Sequence, residues 1–202
     1  GLLKPTRGDI WVLGKNTKET TVASLAKDIG LVFQNPNEQI FKGRVLDEVK
    51  FGPLMVGYEP EQATQQAIAA LEMVGLENRF EENPQDLSLS DKKKLCMASV
   101  IAMDPKIIIL DEPTIAQDEQ GKQVIQKVIQ MLKEQKKLVL TIIHDMDFVA
   151  ENFERTILFH QGQVLLDGET REVFAHTDLL KQAYVTPPSI TQLAHKLGWQ
   201  EV

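Results

Sequence analysis

The stretch Ile107-Ile108-Ile109-Leu110-Asp111-Glu112-Pro113 decides the reading of this chain. Four apolar residues in a row read as a strand buried inside a sheet, and the proline ends its pairing. Two carboxylates follow at the strand's end. Ionised carboxylates beside an apolar strand are costly unless something offsets their charge, and a hard cation with oxygen ligands is the usual partner.

Around this stretch, strand-like runs lie at Asp9–Leu13, Ile29–Phe33, Leu138–Ile143, Thr156–Phe159 and Val164–Leu166. Helical spacing of apolar residues marks Glu61–Val74, with Gly75 as a stop, then Lys92–Met103 and Glu119–Gln135. A helix between the Ile107 and Leu138 strands predicts a βαβ unit in a parallel sheet. The stretch Asn35 to Met103 is mostly helical and interrupts the strands, so it reads as a helical subdomain inserted into an α/β core. The tail from Glu169 reads as helical, broken at Pro187-Pro188.

Composition narrows the function classes. The 202 residues carry 43% hydrophobic and 25% charged side chains, enough for a full core. A net charge of -7 argues against a general nucleic-acid surface. Lys92-Lys93-Lys94 is the one basic run and reads as a solvated helix face. The single cysteine, Cys96, excludes an internal disulfide and reads as inert core packing. No apolar stretch approaches the roughly 20 residues that span a bilayer, and no stretch of the 202 residues reads as a signal peptide. His160, His176 and His195 lack metal-ligand spacing, and neither Trp11 nor Trp199 suggests a cofactor. The chain opens Gly1-Leu2-Leu3-Lys4-Pro5 without methionine, and an internal fragment is expected.

In nucleotide hydrolases a strand ending in two acids is the Walker B element. Its first acid holds Mg²⁺ and its second positions or deprotonates the attacking water. Two other strand ends point the same way. Leu138–Ile143 is followed by His144-Asp145, and Ile29–Phe33 by Gln34-Asn35-Pro36. Side chains at the carboxyl ends of such strands face the crevice where ligands bind. A Gly-rich phosphate loop ending in Lys-Ser/Thr is nowhere in the 202 residues.

By these motifs the chain resembles the ATP-binding cassette (ABC) ATPases over nearly its whole length. Gln34 matches the Q-loop, Ile107–Glu112 the Walker B strand, Asp118 the D-loop aspartate and His144 the switch histidine. Leu87-Ser88 opens the signature segment. The run Phe33-Gln34-Asn35-Pro36-Asn37-Glu38-Gln39-Ile40-Phe41 and the tail Pro187–Ala194 are similar to the energy-coupling-factor and cobalt-type importers.

The resemblance implies a P-loop NTPase-like (RecA-like) α/β core at 1–34 and 104–168. It also implies a helical signature subdomain at 35–103 and a small helical C-terminal extension at 169–202. Its N-terminal strands and phosphate loop are expected to be missing. ATP and Mg²⁺ are the implied cofactors. Asp111 binds Mg²⁺ through water, Glu112 is the general base, Gln34 senses Mg²⁺ and the γ-phosphate, and His144 contacts that phosphate. Ser88 and Asp118 belong to the nucleotide-facing surface of a cassette dimer.

Three departures from the family pattern stand out. The phosphate loop is absent, so the chain alone is expected to bind ATP poorly. The signature LSGGQ is replaced by Leu87-Ser88-Leu89-Ser90-Asp91, where Ser88 and Asp91 resemble a capping box. Ile115-Ala116-Gln117 precedes Asp118, where the family has smaller residues.

The leading expectation is the ATP-hydrolysing subunit of an importer for a metal ion or vitamin, peripheral on the cytoplasmic face of the membrane. It pairs with a second ABC ATPase subunit, expected to differ from it, and docks an integral membrane subunit near Gln34–Phe41. The alternative is a catalytically inactive or regulatory scaffold that keeps those surfaces. A DNA-repair or chromosome-organising ATPase is disfavoured by the acidic charge and by the span of about fifty residues between Gln34 and Ser88.

Overall fold

The computed structural model describes residues 1–197; Trp199 and the other residues beyond, and the side chain of His195, lie outside the described part. The chain forms two compact units, Gly1–Ile142 and a second beginning at Ile143.

The first unit opens with a two-stranded ribbon, β1 (Trp11–Val12) and β2 (Lys15–Asn16), turned at Leu13-Gly14. Helix α1 (Val22–Ala26) is capped by Thr21 and leads into β3 (Ile29–Val32). Helices α2 (Val45–Val56), α3 (Pro60–Met73) and α4 (Leu89–Ile101) follow before the chain returns as β4 (Ile107–Asp111). Helix α5 (Glu119–Glu134) then crosses over to β5 (Leu138–Ile142). The sheet order is β3-β4-β5, parallel throughout, with Val32 opposite Leu110 and Asp111 opposite Ile142.

Helix α2 continues through Gly52 and Pro53 in its second half. The proline sits in the last turn, and Gly57 ends the helix at φ 106° with Tyr58 N–H bonded back to the Pro53 carbonyl. Its residues Val45 and Val49, with Ala63, Ala67 and Leu71 of α3 and Leu95 of α4, are fully buried. Alanines on α3 let these helices approach closely.

One face of the sheet is covered. Gly30, Ile108 and Val139 are in register there, and Val100 of α4 fills the space that a side chain at Gly30 would need. Helix α5 buries the stripe Ile125, Val128, Ile129 and Leu132. The opposite face carries Leu31, Leu138, Leu140 and Ile142, all exposed.

The second unit contains α6 (Met146–Asn152), an antiparallel hairpin of β6 (Arg155–His160) and β7 (Gln163–Glu169), α7 (Thr170–Ala175), α8 (Thr177–Gln182) and α9 (Ser189–Lys196). Its core is Val149, Leu158, Val173, Phe174 and Leu180. The helical break falls where Pro187-Pro188 predicts it, and Asp147 accepts from the Ser189 backbone and hydroxyl at 2.7 and 2.8 Å. Among the described residues no helix is long and apolar enough to cross a membrane.

Candidate active site

Because β3, β4 and β5 run parallel, their carboxyl ends share one edge, where open α/β sheets present their ligand groups. Gln34 stands exposed just beyond β3. On the neighbouring strand Asp111 is half-buried at the end of β4, and Glu112 follows at 5% exposure. The sequence thus places the two acids and the amide on adjacent strand ends. His144 comes two residues after β5 and belongs to the second unit.

Glu112 adopts φ 48°, a left-handed conformation uncommon for a residue with a long side chain. Both sides of its peptide are held. Its N–H donates to the Ile142 carbonyl at 2.9 Å, and its carbonyl accepts from Lys93 Nζ at 2.6 Å. The expectation of a solvated face at Lys92–Lys94 is therefore wrong for the middle lysine. Lys93 is 4% exposed, because it lies on the side of α4 that packs under the β4–α5 loop. Burial pulls its ammonium below the usual lysine range, and the Glu112 and Asp111 carboxylates partly oppose that shift. Lys93 is the site residue that sequence reasoning missed. Its only signal was a place three positions after Ser90 on a helix flanking the acids.

Ser88 and Asp118 are both helix caps. Ser88 Oγ accepts from Asp91 N–H at 3.1 Å and donates to Asp91 Oδ2 at 3.0 Å, so the N-cap half of the capping box read from the sequence is present, with Asp91 meeting the Ser88 hydroxyl in place of its backbone N–H. Lys94 pairs with Asp91 at 3.2 Å. Asp118 Oδ1 accepts from Gly121 N–H at 2.7 Å at the start of α5. Leu89, in the altered signature, is 47% exposed.

After Gln34 the chain makes a short 3-10 turn, Pro36–Glu38, capped by Asn35. Gln39 is an internal brace: its amide oxygen accepts from Phe33 N–H at 3.0 Å, and its nitrogen donates to the Cys96 carbonyl at 3.4 Å. Ile40 is core at 6% exposure, whereas Phe41 is 60% exposed. Buried Glu48, in the first turn of α2, accepts the N–H groups of Phe41 and Lys42 through Oε2 at 3.0 and 2.6 Å. The Phe41 ring meets Phe51 edge to face at 4.9 Å, and the Lys42 ammonium sits 5.0 and 4.5 Å from the two ring centres. Cys96 is fully buried, and burial pushes its thiol up to about 12, as inert core packing requires.

The half-buried Asp111 carboxylate, with the Gln34 amide on the next strand end, gives a hard-oxygen donor set of the kind Mg²⁺ takes. The profile of the family described as ABC transporter matches residues 1–115. The chain belongs to that family. It is 37% identical over its full length to a putative ABC transporter ATP-binding protein of Pyrococcus furiosus, and spans 77% of that protein. With the energy-coupling factor transporter ATP-binding protein EcfA2 of Clostridium perfringens it shares 36% identity, covering 98% of this chain and 71% of the relative. The solved structure of CbiO1 from the same organism, described as part of the ABC transporter complex cbiONQ, superposes at TM-score 0.78 with 31% identity, over 96% of this chain and 79% of that one. A dimeric ATP-binding cassette in a post-hydrolysis state with ADP and phosphate superposes at 0.75, with 28% identity over 84% and 76%. The ABC cassette fold and the energy-coupling-factor likeness read from the sequence both stand. ATP and Mg²⁺ are the family's general cofactors.

Proposed function

We propose that this chain supplies the Mg-ATP-hydrolysing carboxylates of an importer's cassette pair. The observation that supports it most is Glu112: buried, left-handed, and held through both its N–H and its carbonyl at the end of the central strand. A fold tolerates such a conformation when the surroundings fix it, and sites of chemistry are where that happens. In this reading Asp111 and Gln34 would hold Mg²⁺, which when bound would supply neutralisation of charge on the phosphate oxygens. Glu112 takes the proton of the attacking water on its carboxylate, and His144 contacts the γ-phosphate. Ser88 and Asp118 face the partner cassette. The helical stretch 35–103 carries the partner-facing surfaces, and the segment 169–202 is an extension.

The pair is read as asymmetric. The carboxylate side of this chain is built, while its signature is altered at Leu89, Ser90 and Asp91. A partner with an intact signature completes the competent site. The exposed Phe41, backed by Phe51 and Lys42, is the proposed seat of an integral membrane subunit on the cytoplasmic face. Likeness to EcfA2 and to CbiO1 supports uptake of a metal ion or vitamin.

The test is ATP turnover by the full-length cassette in its assembled complex. Glu112→Gln is expected to lower kcat by about a hundredfold or more with nucleotide binding retained. Unchanged turnover would sink the assignment. One observation favours the regulatory scaffold instead: Asp91 is engaged with Ser88 and Lys94 inside the chain. On that reading Glu112→Gln changes nothing while complex assembly persists.

A further inference from the structure

We propose that the first turns of α4 act as a two-point clamp on the segment from Glu112 to Asp118, with Lys93 and Ser90 as positioning residues for Glu112. This rests on the reading of Glu112 as the base.

Ser90 and Lys93 are three residues apart on one helix, so they project from the same face. Each reaches the β4–α5 loop. Lys93 Nζ donates to the Glu112 carbonyl at 2.6 Å. Ser90 Oγ donates to Gln117 Oε1 at 2.8 Å, and Gln117 Nε2 donates back to the Ser90 carbonyl at 3.3 Å. The two contacts hold both ends of a loop that contains two non-glycine residues in the left-handed region, Glu112 at φ 48° and Ala116 at φ 63°. Within the loop the Ile115 N–H reaches the Glu112 carbonyl at 3.4 Å and the Gln117 N–H the Thr114 carbonyl at 3.2 Å, and the two contacts from α4 add to these. Turning either residue back to an ordinary conformation would swing the Glu112 carboxylate away from the sheet edge.

Two further features fit the clamp. A buried ammonium is expensive, and Lys93 is held inside by the hydrogen bond it donates to the Glu112 carbonyl and by the two carboxylates near it. Gly121, in the first turn of α5, leaves room for the Gln117 amide. A Cβ there would stand 2.2 Å from Gln117 Oε1. The missing side chain at 121 therefore holds open the slot in which the Ser90–Gln117 pair forms.

Two of the residues that depart from the family pattern, Ser90 and Gln117, are thus partners of each other. Their exchange of two hydrogen bonds fastens the signature helix to the loop that carries the base.

The experiment compares Lys93→Met, Lys93→Arg, Gln117→Leu, Gly121→Ala and Glu112→Gln in the full-length cassette within its complex. Steady-state Mg-ATP kinetics and amide hydrogen exchange are both read. Lys93→Met is expected to lower kcat by about tenfold with KM unchanged, because position is lost and nucleotide binding is not. Lys93→Arg, which keeps a donor, recovers most of it. Gln117→Leu and Gly121→Ala act in the same direction. Gly121→Ala is the sharper variant, since helix propensity alone predicts that it stabilises α5. In Lys93→Met, Gln117→Leu and Gly121→Ala, exchange at residues 114–118 rises about tenfold while α3 is unchanged. Should Lys93→Met fail to fold, Gln117→Leu and Gly121→Ala carry the same exchange and kinetic readouts. Unchanged exchange in those variants overturns the clamp. Unchanged kcat in them, with Glu112→Gln inactive, overturns its role in positioning. If Glu112→Gln retains full turnover, the base assignment fails and takes the positioning role with it, while the exchange data still decide whether the clamp exists.

Discussion

Glu48 offers a quantitative test of how the segment after Gln34 is held. Its carboxylate is 4% exposed and accepts two backbone N–H groups, from Phe41 at 3.0 Å and Lys42 at 2.6 Å. Hydrogen bonds to a charged acceptor contribute about 1.5–3 kcal/mol each. Phe41 is exposed and Lys42 half-buried, so water can reach part of what an alanine would vacate, and the lower end applies. Glu48→Ala is therefore expected to cost about 3 kcal/mol, a fall in Tm of about 6–12 °C for a chain of this size. Glu48→Gln keeps one acceptor oxygen but loses the charge, and about 1–2 kcal/mol is expected.

A rival explanation is that any acid in the first turn of α2 is favoured by the helix dipole. Asp47 supplies the control, being in the same turn with a side chain 50% exposed. Asp47→Ala is expected to cost only about 0.5 kcal/mol. Urea denaturation gives the energies, and hydrogen exchange at the Phe41 and Lys42 amides gives the location. Glu48→Ala also loosens the backbone that seats the Phe41 ring against Phe51, so on the proposed docking reading binding of a membrane subunit should weaken with stability. The reasoning fails if Glu48→Ala lies within about 0.5 kcal/mol of the parent, or if it matches Asp47→Ala with both amides still protected.

Two further outcomes follow from packing and titration. Gly30→Ala puts a Cβ 2.2 Å from Val100 Cγ1 and 3.2 Å from Pro105 Cγ, and neither a β-branched side chain nor a proline ring can swing aside. A loss of about 1–3 kcal/mol by denaturant titration is expected, relieved when Val100→Ala is added. Cys96 predicts an alkaline weakness: with the folded thiol pushed up to about 12 from 9.0, chiefly by burial, the unfolded chain releases its proton first. Stability contributed by the neutral thiol is whole below pH 9 and declines above it, by about 2 kcal/mol on reaching about pH 10.5. Cys96→Ala should flatten that part of the stability–pH curve, and an unchanged slope would contradict it.

Much of the fold was legible because it depends on local pattern. Ile107–Leu110 could only be an inner strand, and α5 carries a clean apolar stripe at helical spacing. Ser88 and Asp91 obey a capping rule that spans four residues, and the structure obeys it too. What escaped depends on distant partners. Lys93 meets a carbonyl 19 residues away, and Ser90 meets Gln117 across 27, so nothing adjacent marks either one. Helix α2 runs on past Phe51 through Gly52 and Pro53, because Pro53 sits where only its last turn is affected. The β2 strand, Lys15–Asn16, is too short to have a period. The left-handed turn at Glu112 was equally invisible, since its cause lies in α4 and β5.

The altered signature and the built carboxylate site are two sides of one arrangement. Asp91 is engaged with Ser88 and Lys94, and Ser90 with Gln117. Polar groups satisfied inside the chain are costly to redirect, because each must lose a partner before it can meet another. A segment so engaged is a poor donor surface for a second subunit's phosphate, with Asp91 adding a carboxylate of the wrong sign. The contacts that close this surface also fasten the loop beginning at Glu112. On the proposed reading, what the chain would give up as a signature it would gain as support for Glu112. On the proposed reading an asymmetric pair would follow, since a partner with the same trade would leave both nucleotide sites without a working signature.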